Sequence, residues 1–282
     1  MIGQEKLLQE IDSLIQQDNL PRFIIIVGPE GSGKKLLAQY ICTESNFFWT
    51  YEPDNKIDTI RKVIKDAYKV TVPTCYVFTD VDDMSQGSRN ALLKVTEEAP
   101  NKAYFIMTCT NIEMVLPTII SRAQVFYMQP YTSEQLINYA YDIKDNFNAN
   151  IVTELCETPG DVDLLFKIGE EELYEYTEKV VDYITEASLA NALKIASKLA
   201  FKPEQAGYDV KLFLRAFKSV CGIRMKQALV DKDKETRVYY GKGVNVVSNT
   251  LNQLSITGIN KSALFDMFIL DIRREWEDDS NR

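Results

Sequence analysis

The chain has 282 residues, of which 45% are hydrophobic and 26% are charged, and its formal net charge is −9 at pH 7. This length predicts roughly two to three domains, and the acidic balance excludes a protein that binds nucleic acid with its whole surface, so any DNA contact must come from a local basic patch or from a partner. The sequence has no histidine, which removes the commonest general base at neutral pH and every Ser-His-Asp triad.

The first 130 residues alternate between helical and strand patterns. Predicted helices cover residues 4–17, 33–43, 58–69 and 85–98, and predicted strands cover residues 23–27, 75–79, 104–109 and 125–128. The run Phe23–Val27 is apolar throughout, as is typical of a strand buried on both faces of a parallel sheet. Strands separated by helices predict an α/β fold with right-handed crossovers.

Strand patterns fade after residue 130. Residues 133–145 and 150–169 are predicted as short helices, and nearly everything from residue 171 onward is predicted as helix. Two of the later helices are predicted to bury one apolar face each, formed by Phe213, Leu214 and Phe217 in one and by Leu264, Met267, Phe268 and Ile272 in the other. We therefore predict an α/β domain at residues 1–130, a small helical domain at 131–170 and an all-helical domain at 171–282.

Five cysteines lie at positions 42, 75, 109, 156 and 221, and none forms a C-x-x-C pair. This spacing argues against zinc and thiol-redox sites, and Cys75 and Cys109 are predicted core residues because they lie in apolar runs. Scattered cysteines fit a reducing compartment. No signal-peptide pattern and no apolar run of about 20 residues is visible, so we expect a cytoplasmic protein without membrane contact.

The segment Gly28–Lys34 fits the pattern G-x-x-x-x-G-K between a predicted strand and a predicted helix, which favours a phosphate-binding loop over an ordinary glycine-rich turn. Inward-pointing backbone N–H groups and the helix dipole predict a site for the phosphates of ATP or ADP, with Lys34 reaching the β- and γ-phosphates. The nucleotide contacts predicted from this pattern are Gly28, Glu30, Gly31, Ser32, Gly33, Lys34, Lys35 and Asp80.

Two features of this predicted site argue against Mg²⁺ and against hydrolysis. Lys35 stands where such loops carry a hydroxyl that ligates magnesium, and an ammonium group cannot be a ligand for a cation. The acidic pair expected at the end of the next strand is also broken. Either Asp80 takes the place of the aspartate and Val81 that of the glutamate, or Thr79 takes the place of the aspartate and Asp80 that of the glutamate.

Asp82 and Asp83, which follow, are predicted to form a solvated turn or a helix N-cap. A set of basic residues in the helical region is predicted to form solvated helix faces, with contact to the DNA backbone as the alternative. This set consists of Lys194, Lys198, Lys202, Lys211, Arg215 and Lys218.

Further segments of the first 130 residues resemble the clamp-loader ATPases of the AAA+ class. Residues 2–5 (IGQE) are similar to the opening of that family, residues 90–98 (NALLKVTEE) with Pro100 resemble its N-A-L-L-K-x-x-E-E-P segment, and residues 116–122 (LPTIISR) resemble its L-P-T-I-x-S-R-C segment. The resemblance is closest to the bacterial DNA polymerase III delta-prime group, whose second acidic motif also begins with Thr-Asp. The matching segments follow the order of the family along the first 130 residues, and the resemblance is faint beyond residue 170.

The resemblance implies an AAA+ P-loop domain with a parallel sheet, a small helical lid domain and a C-terminal helical collar domain. It implies a ring of five clamp-loader subunits that opens a sliding clamp and places it on primed DNA during replication. Arg122 matches the arginine finger that reaches a nucleotide held by the neighbouring subunit. Asn111 matches a polar sensor of nucleotide state, although capping of the following turn explains it equally well. Arg89 lies near the start of a helix that lines the DNA channel, so it is predicted to contact nucleic acid.

The sequence also departs from the family. Asp163 falls near the position where active members carry an arginine, Ala123 replaces the cysteine after the finger, and residues 43–74 lack the cysteines of the delta-prime zinc module. We therefore predict a delta-prime-like subunit of a hetero-oligomeric clamp loader that binds nucleotide weakly or not at all, has no ATPase activity of its own and holds no zinc. The alternatives are an active clamp-loader ATPase with unusual magnesium ligation and an AAA+ regulatory scaffold outside replication.

Overall fold

The computed structural model describes residues 1–51, 55–97, 100–194, 209–254 and 260–277. The chain divides into two compact units, of which the first comprises Met1–Gln135 with Thr158–Gly160 and the second comprises Leu136–Glu157 with Asp161–Arg282. The three-domain division at residues 130 and 170 stays a prediction. No helix in the part of the chain that the structure describes combines the length and apolar character of a membrane span.

A five-stranded parallel sheet forms the centre of the first unit. Its strands are β1 (Phe23–Val27), β2 (Phe48–Tyr51), β3 (Thr74–Phe78), β4 (Ala103–Cys109) and β5 (Gln124–Tyr127). Their spatial order is β2-β3-β4-β1-β5, and every neighbouring pair is parallel. The predicted parallel α/β arrangement is confirmed. The edge strand β2 was not predicted, because it is only four residues long and its first residue, Phe48, is 68% exposed.

Helices cover both faces of this sheet. They are α1 (Glu5–Gln16), α2 (Lys34–Glu44), α3 (Ile57–Ala67), α4 (Gln86–Glu97) and α5 (Pro117–Ile120), with 3₁₀ turns at Val81–Asp83 and Ile112–Met114. Alternate side chains of β1 point to opposite faces, so Ile25 packs in the cluster that contains residues of α3 and α4, whereas Ile24 and Ile26 pack with residues of α1 and α2. Burial on both faces explains the continuous apolar run of β1.

The second unit is helical in its described residues. Its helices are α6 (Ser133–Ile143, which begins in the first unit), α7 (Ala149–Leu155), α8 (Pro159–Ile168, which also begins there), α9 (Glu170–Glu186), α10 (Val210–Val230), α11 (Lys234–Leu254) and α12 (Lys261–Glu277); residues 189–194 are helical as well. The aromatic ring of Trp276 stacks on Tyr239 with centroids 4.5 Å apart and on Phe217 at 6.2 Å. These contacts place the core between α10, α11 and α12.

The predicted apolar face of α10 is confirmed, since Phe213, Leu214 and Phe217 are all fully buried. The prediction for α12 is partly wrong. Met267 is 54% exposed, and Phe265 is buried beside Leu264 and the other core residues instead. Cys75 and Cys109 are buried as predicted.

The prediction for Arg215 is wrong, because its side chain is 7% exposed and neither solvated nor open to DNA. Its guanidinium donates to the carbonyl oxygen of Leu155 at 2.7 Å and to Asp161 at 2.9 Å, and it also pairs with Glu157. Lys218, one helical turn further along α10, is exposed. Lys198, Lys202 and the second glutamate of the NALLKVTEE segment, Glu98, lie outside the described residues.

Candidate nucleotide-binding site

The glycine loop joins the end of β1 to the start of α2. Gly33 precedes the helix with a φ of 90°, a left-handed conformation that strongly favours glycine. A Cβ atom at Gly28 would lie 2.6 Å from Cγ of Met128, so a larger residue there would require the side chain of Met128 to shift. The N–H of Gly28 donates to the carbonyl oxygen of Cys109 at 3.1 Å, which ties the loop to the end of β4. The first N–H groups of α2 have no acceptor within the helix, and the binding of phosphate at this helix end stays a prediction.

Lys34 lies inside the loop rather than in solvent, with 7% of the residue exposed. Its Nζ donates to the carbonyl oxygens of Gly28 at 2.7 Å and Pro29 at 3.0 Å. Burial lowers the pKa of Lys34, while the nearby carboxylates, Asp80 first and Asp82 second, act in the opposite direction. Its contact with phosphate stays a prediction, and it requires the ammonium group to exchange carbonyl oxygens for phosphate oxygens.

Lys35 faces the acidic residue after β3. Its Nζ lies 3.8 Å from Oδ2 of Asp80, and the two side chains are 60% and 48% exposed. The backbone of Asp80 is left-handed with a φ of 54°, a region that aspartate tolerates better than most residues. The side chain of Asn55 donates to the carbonyl oxygen of Asp80 at 3.1 Å, and the N–H of Asp80 donates to Thr108 Oγ1 at 3.2 Å. These bonds fix the acidic residue close to both lysines.

Asp82 differs from its prediction, because it is 4% exposed and not part of a solvated turn. Its Oδ2 accepts hydrogen bonds from the backbone N–H groups of Thr110 at 2.8 Å and Asn111 at 2.9 Å. Hydrogen bonds to a carboxylate are stronger than those between neutral groups. Asp82 therefore joins the turn after β3 to the end of β4, whereas its neighbour Asp83 is exposed.

Asn111 caps the second 3₁₀ turn, since its side-chain oxygen accepts a hydrogen bond of 2.9 Å from the N–H of Glu113. This contact favours the capping interpretation, and a sensor role stays a prediction. Arg89 donates to the carbonyl oxygens of Met84 and Met114, both at 2.8 Å, and of Asp82 at 3.2 Å. Its guanidinium thus connects the loops beside the site, and its contact with DNA stays a prediction.

The remaining loop residues differ in exposure. Glu30 and Gly31 are exposed, whereas Ser32 is 1% exposed and its hydroxyl donates to the carbonyl oxygen of Pro29 at 2.7 Å. The hydroxyl of Tyr131 donates to the carbonyl oxygen of Ser32 at 2.7 Å. Tyr131 was not identified from the sequence, because a single tyrosine after a strand carries no local signal of a contact with the loop.

The beginning of helix α8 packs against the loop. The N–H of Gly160 donates to the carbonyl oxygen of Gly31 at 3.1 Å, and a Cβ atom at Gly160 would lie 2.5 Å from Cα of Gly31. In this segment the sequence pointed only to Asp163, near the position where active members of the family carry an arginine. Asp163, three residues later, is exposed and accepts a hydrogen bond of 2.9 Å from the hydroxyl of Tyr139.

Arg122 lies just after the short helix α5, which begins at Pro117. Its side chain is exposed, and Nη1 donates to the carbonyl oxygen of Thr118 at 2.9 Å. The guanidinium group is therefore at the surface, where a second chain can reach it, and its role as an arginine finger stays a prediction.

The chain is similar in sequence to several known replication proteins. The sequence model of the family described as "DNA polymerase III, delta subunit" matches residues 42–132. Over 217 residues the chain is 24% identical to the replication factor C small subunit of Methanococcus maripaludis, covering 70% of this chain and 66% of that protein. It is also 24% identical to the same subunit of Methanothermobacter thermautotrophicus, covering 85% and 78%. The DNA polymerase III subunit gamma/tau of Mycoplasma pneumoniae is 24% identical over 182 residues, covering 54% of this chain and 27% of that protein.

The chain thus spans just under two thirds of the first of these relatives. Among solved structures, the RuvB Holliday junction branch migration motor of Thermotoga maritima superposes with a TM-score of 0.52 at 16% identity, covering 76% of this chain and 88% of that one. This likeness concerns the fold, which is the AAA+ P-loop fold. In its motifs and in these matches, the chain is similar to clamp-loader proteins of the AAA+ class.

Proposed function

We propose that this chain is a delta-prime-like subunit of a clamp loader, which helps to place a sliding clamp on primed DNA during replication. The observation that carries the proposal is the pairing of an exposed Arg122 with a phosphate loop whose magnesium ligands are replaced. The relatives support the same role, because their names describe replication factor C and DNA polymerase III subunits.

In this proposal the chain does not hydrolyse ATP itself. Phosphoryl transfer needs a metal ion that neutralises charge on the phosphates and a group that orients the attacking water. Lys35 replaces the hydroxyl ligand and lies 3.8 Å from Asp80, which is the single carboxylate left of the usual pair. Asp82 is no substitute, because its Oδ2 is bonded to two backbone N–H groups.

The contribution of the chain to catalysis is then made in trans. Arg122 would enter the nucleotide site of a neighbouring subunit and stabilise the charge of its transition state, a role worth about 10³–10⁵ in rate where it has been measured. This role requires a hetero-oligomeric ring, for which we propose five subunits, together with the clamp and primed DNA as partners. The loop of this chain would hold ATP or ADP.

Co-purification with candidate clamp-loader subunits, followed by clamp loading on primed DNA, tests the proposal directly. We expect the chain to enter a stable complex and the complex without it to lose clamp loading. A chain that does not join any loader complex would contradict the proposal and favour a regulatory scaffold outside replication.

Steady-state ATP hydrolysis by the purified chain, with clamp and primed DNA present, tests the absence of turnover. We expect no hydrolysis above the background of the Lys34→Ala variant. Turnover that disappears in Lys34→Ala would instead identify an active clamp-loader ATPase with unusual magnesium ligation.

A further inference from the structure

The residues beside the phosphate loop do not fit a magnesium ion. A site for Mg²⁺ in a loop of this kind uses the hydroxyl that follows the loop lysine and a carboxylate at the end of the neighbouring strand. Here Lys35 presents an ammonium group in place of the hydroxyl, and its Nζ lies 3.8 Å from Asp80. A cation between these two groups would be repelled by the lysine at short range.

The same two replacements preserve the charge of the site. A magnesium site sets two acidic side chains against a metal ion of charge two. Here either Thr79 or Val81 replaces one of the two acidic side chains, and Asp80 is the one that remains. One ammonium group, that of Lys35, stands opposite this single carboxylate. The net charge of these groups is therefore zero in both cases. Two acidic side chains balance the metal ion in a magnesium site, and the single carboxylate of Asp80 balances Lys35 here.

The phosphate-binding elements of the loop are retained. Gly28 and Gly33 keep the backbone shape, the first turn of α2 presents N–H groups without intrahelical acceptors, and Lys34 lies beside them. Asp82, the other nearby carboxylate, is held by the N–H groups of Thr110 and Asn111, which offset its charge. The pair between Lys35 and Asp80 is largely exposed, and exposed pairs are weak enough to open when a stronger anion arrives.

We propose that Lys35 is a built-in counter-ion, and that the loop binds a nucleoside di- or triphosphate without a divalent cation. This inference rests on the proposal that the loop holds ATP or ADP. Lys34 and Lys35 then contact the phosphates together, and Asp80 keeps Lys35 in place when the loop holds no nucleotide. The ligand serves to order the subunit and is not a substrate for hydrolysis.

Calorimetric titration of the full chain with ADP and with ATP, each in excess Mg²⁺ and in excess EDTA, tests this inference. We expect the dissociation constant of the unaltered chain to change by less than about threefold between the two conditions. Lys35→Thr, which restores a hydroxyl, should weaken binding in EDTA by about tenfold or more, because it removes one charge-assisted contact. Mg²⁺ should recover part of that loss in Lys35→Thr alone.

Lys69→Thr is the matched control, because Lys69 is also exposed and also lies near an aspartate, with its Nζ 3.3 Å from Asp66, but it is distant in sequence from the loop. We expect its affinity to equal that of the unaltered chain. Binding of the unaltered chain that falls about tenfold or more in EDTA would overturn the inference, as would the absence of binding in both conditions. Neither result affects the clamp-loader role, which co-purification and clamp loading test independently of nucleotide.

Discussion

The carboxylate of Asp82 accepts a hydrogen bond of 2.8 Å from the backbone N–H of Thr110, and this bond joins the turn after β3 to the end of β4. The same oxygen accepts a second bond from the N–H of Asn111. Replacing Asp82 by alanine would leave both donors without their acceptor. We expect Asp82→Ala to lower the free energy of unfolding by about 1–3 kcal/mol, measured by urea denaturation.

Asp83→Ala provides the control for this substitution, since Asp83 is the next residue and its side chain is exposed. We expect its stability to lie within about 0.5 kcal/mol of that of the unaltered chain. Equal effects of the two substitutions would show that the bonds to Thr110 and Asn111 contribute little.

Substitution by alanine should lower the stability of the protein at Gly160 and raise it at Gly222. A Cβ atom at Gly160 would lie 2.5 Å from Cα of Gly31, a backbone atom that cannot move aside cheaply. We expect Gly160→Ala to cost about 1–3 kcal/mol of stability. A Cβ atom at Gly222, within α10, meets nothing within 4 Å, so Gly222→Ala should gain about 0.5–1 kcal/mol. Urea denaturation measures the free energy of unfolding of both variants. If Gly160→Ala is as stable as the unaltered chain, the close approach of Gly160 to Gly31 is not required for stability.

Removal of Arg215 should strongly destabilise the second unit. Its buried guanidinium donates hydrogen bonds to the carbonyl oxygen of Leu155 and to the carboxylate of Asp161. Arg215→Ala therefore leaves the buried carboxylate of Asp161 without this cation. We expect a loss of about 3–5 kcal/mol, whereas Lys218→Ala, on the exposed face of the same helix, should change stability by less than about 0.5 kcal/mol. Thermal or urea unfolding monitored by circular dichroism separates the two, and similar melting of both variants would contradict a structural role for the arginine.

Arg122→Ala should leave folding and complex assembly intact. The side chain is exposed, and its hydrogen bond to the carbonyl oxygen of Thr118 lies within its own turn. We expect ATP hydrolysis by the reconstituted loader to fall by about 10³-fold at the neighbouring site. Arg61→Ala, an exposed arginine on α3, is the control and should leave hydrolysis unchanged. An unaffected rate in Arg122→Ala would remove this residue from the catalytic site.

The cysteines should be unreactive in the native chain. All five are buried, and burial raises the pKa of the thiols of Cys109, Cys156 and Cys221 to about 12. Since only the thiolate reacts, about one molecule in ten thousand carries the reactive form of each of these thiols at pH 8. The rate of labelling by a disulfide reagent should rise about tenfold for each pH unit while the fold persists.

Labelling of the chain unfolded in urea provides the comparison with the native chain, and there all five cysteines should react rapidly. Fast labelling of any one of the three thiols in the native chain at pH 8 would show that the chain opens locally at that position.

The sequence predicted those parts of the fold that depend on local pattern. The runs Phe23–Val27 and Ala103–Cys109 are buried on both faces, so hydrophobicity alone marks them as central strands. The strand Phe48–Tyr51 was missed because it pairs on one side only, so an edge strand of four residues needs no apolar run. Met267 was misplaced because helical spacing does not distinguish the buried face from its border, and Phe265 lies on the true face.

The position of the glycine loop between β1 and α2 could also be predicted, because its motif lies in consecutive residues, whereas its binding of phosphate stays a prediction. The position of Asp82 could not, because its partners belong to the end of β4 and depend on the register that sets Phe78 opposite Met107. The contact of Tyr131 with Ser32 depends in the same way on how the chain returns to the loop after β5. Contacts between distant segments are the part of a site that local pattern does not encode.

The beginning of α8, which packs on the glycine loop, is synthesised well after the loop itself. Positions 31 and 160 are joined in the folded chain, yet α6 and α7 lie between them in the sequence. A ribosome that has released residues 1–135 has produced all five strands without Thr158–Gly160. At about 5–20 residues per second, synthesis of residues 136–160 takes about 1–5 seconds. A nascent chain that ends before residue 158 therefore contains every strand of the sheet but lacks the N–H of Gly160 that bonds the carbonyl oxygen of Gly31.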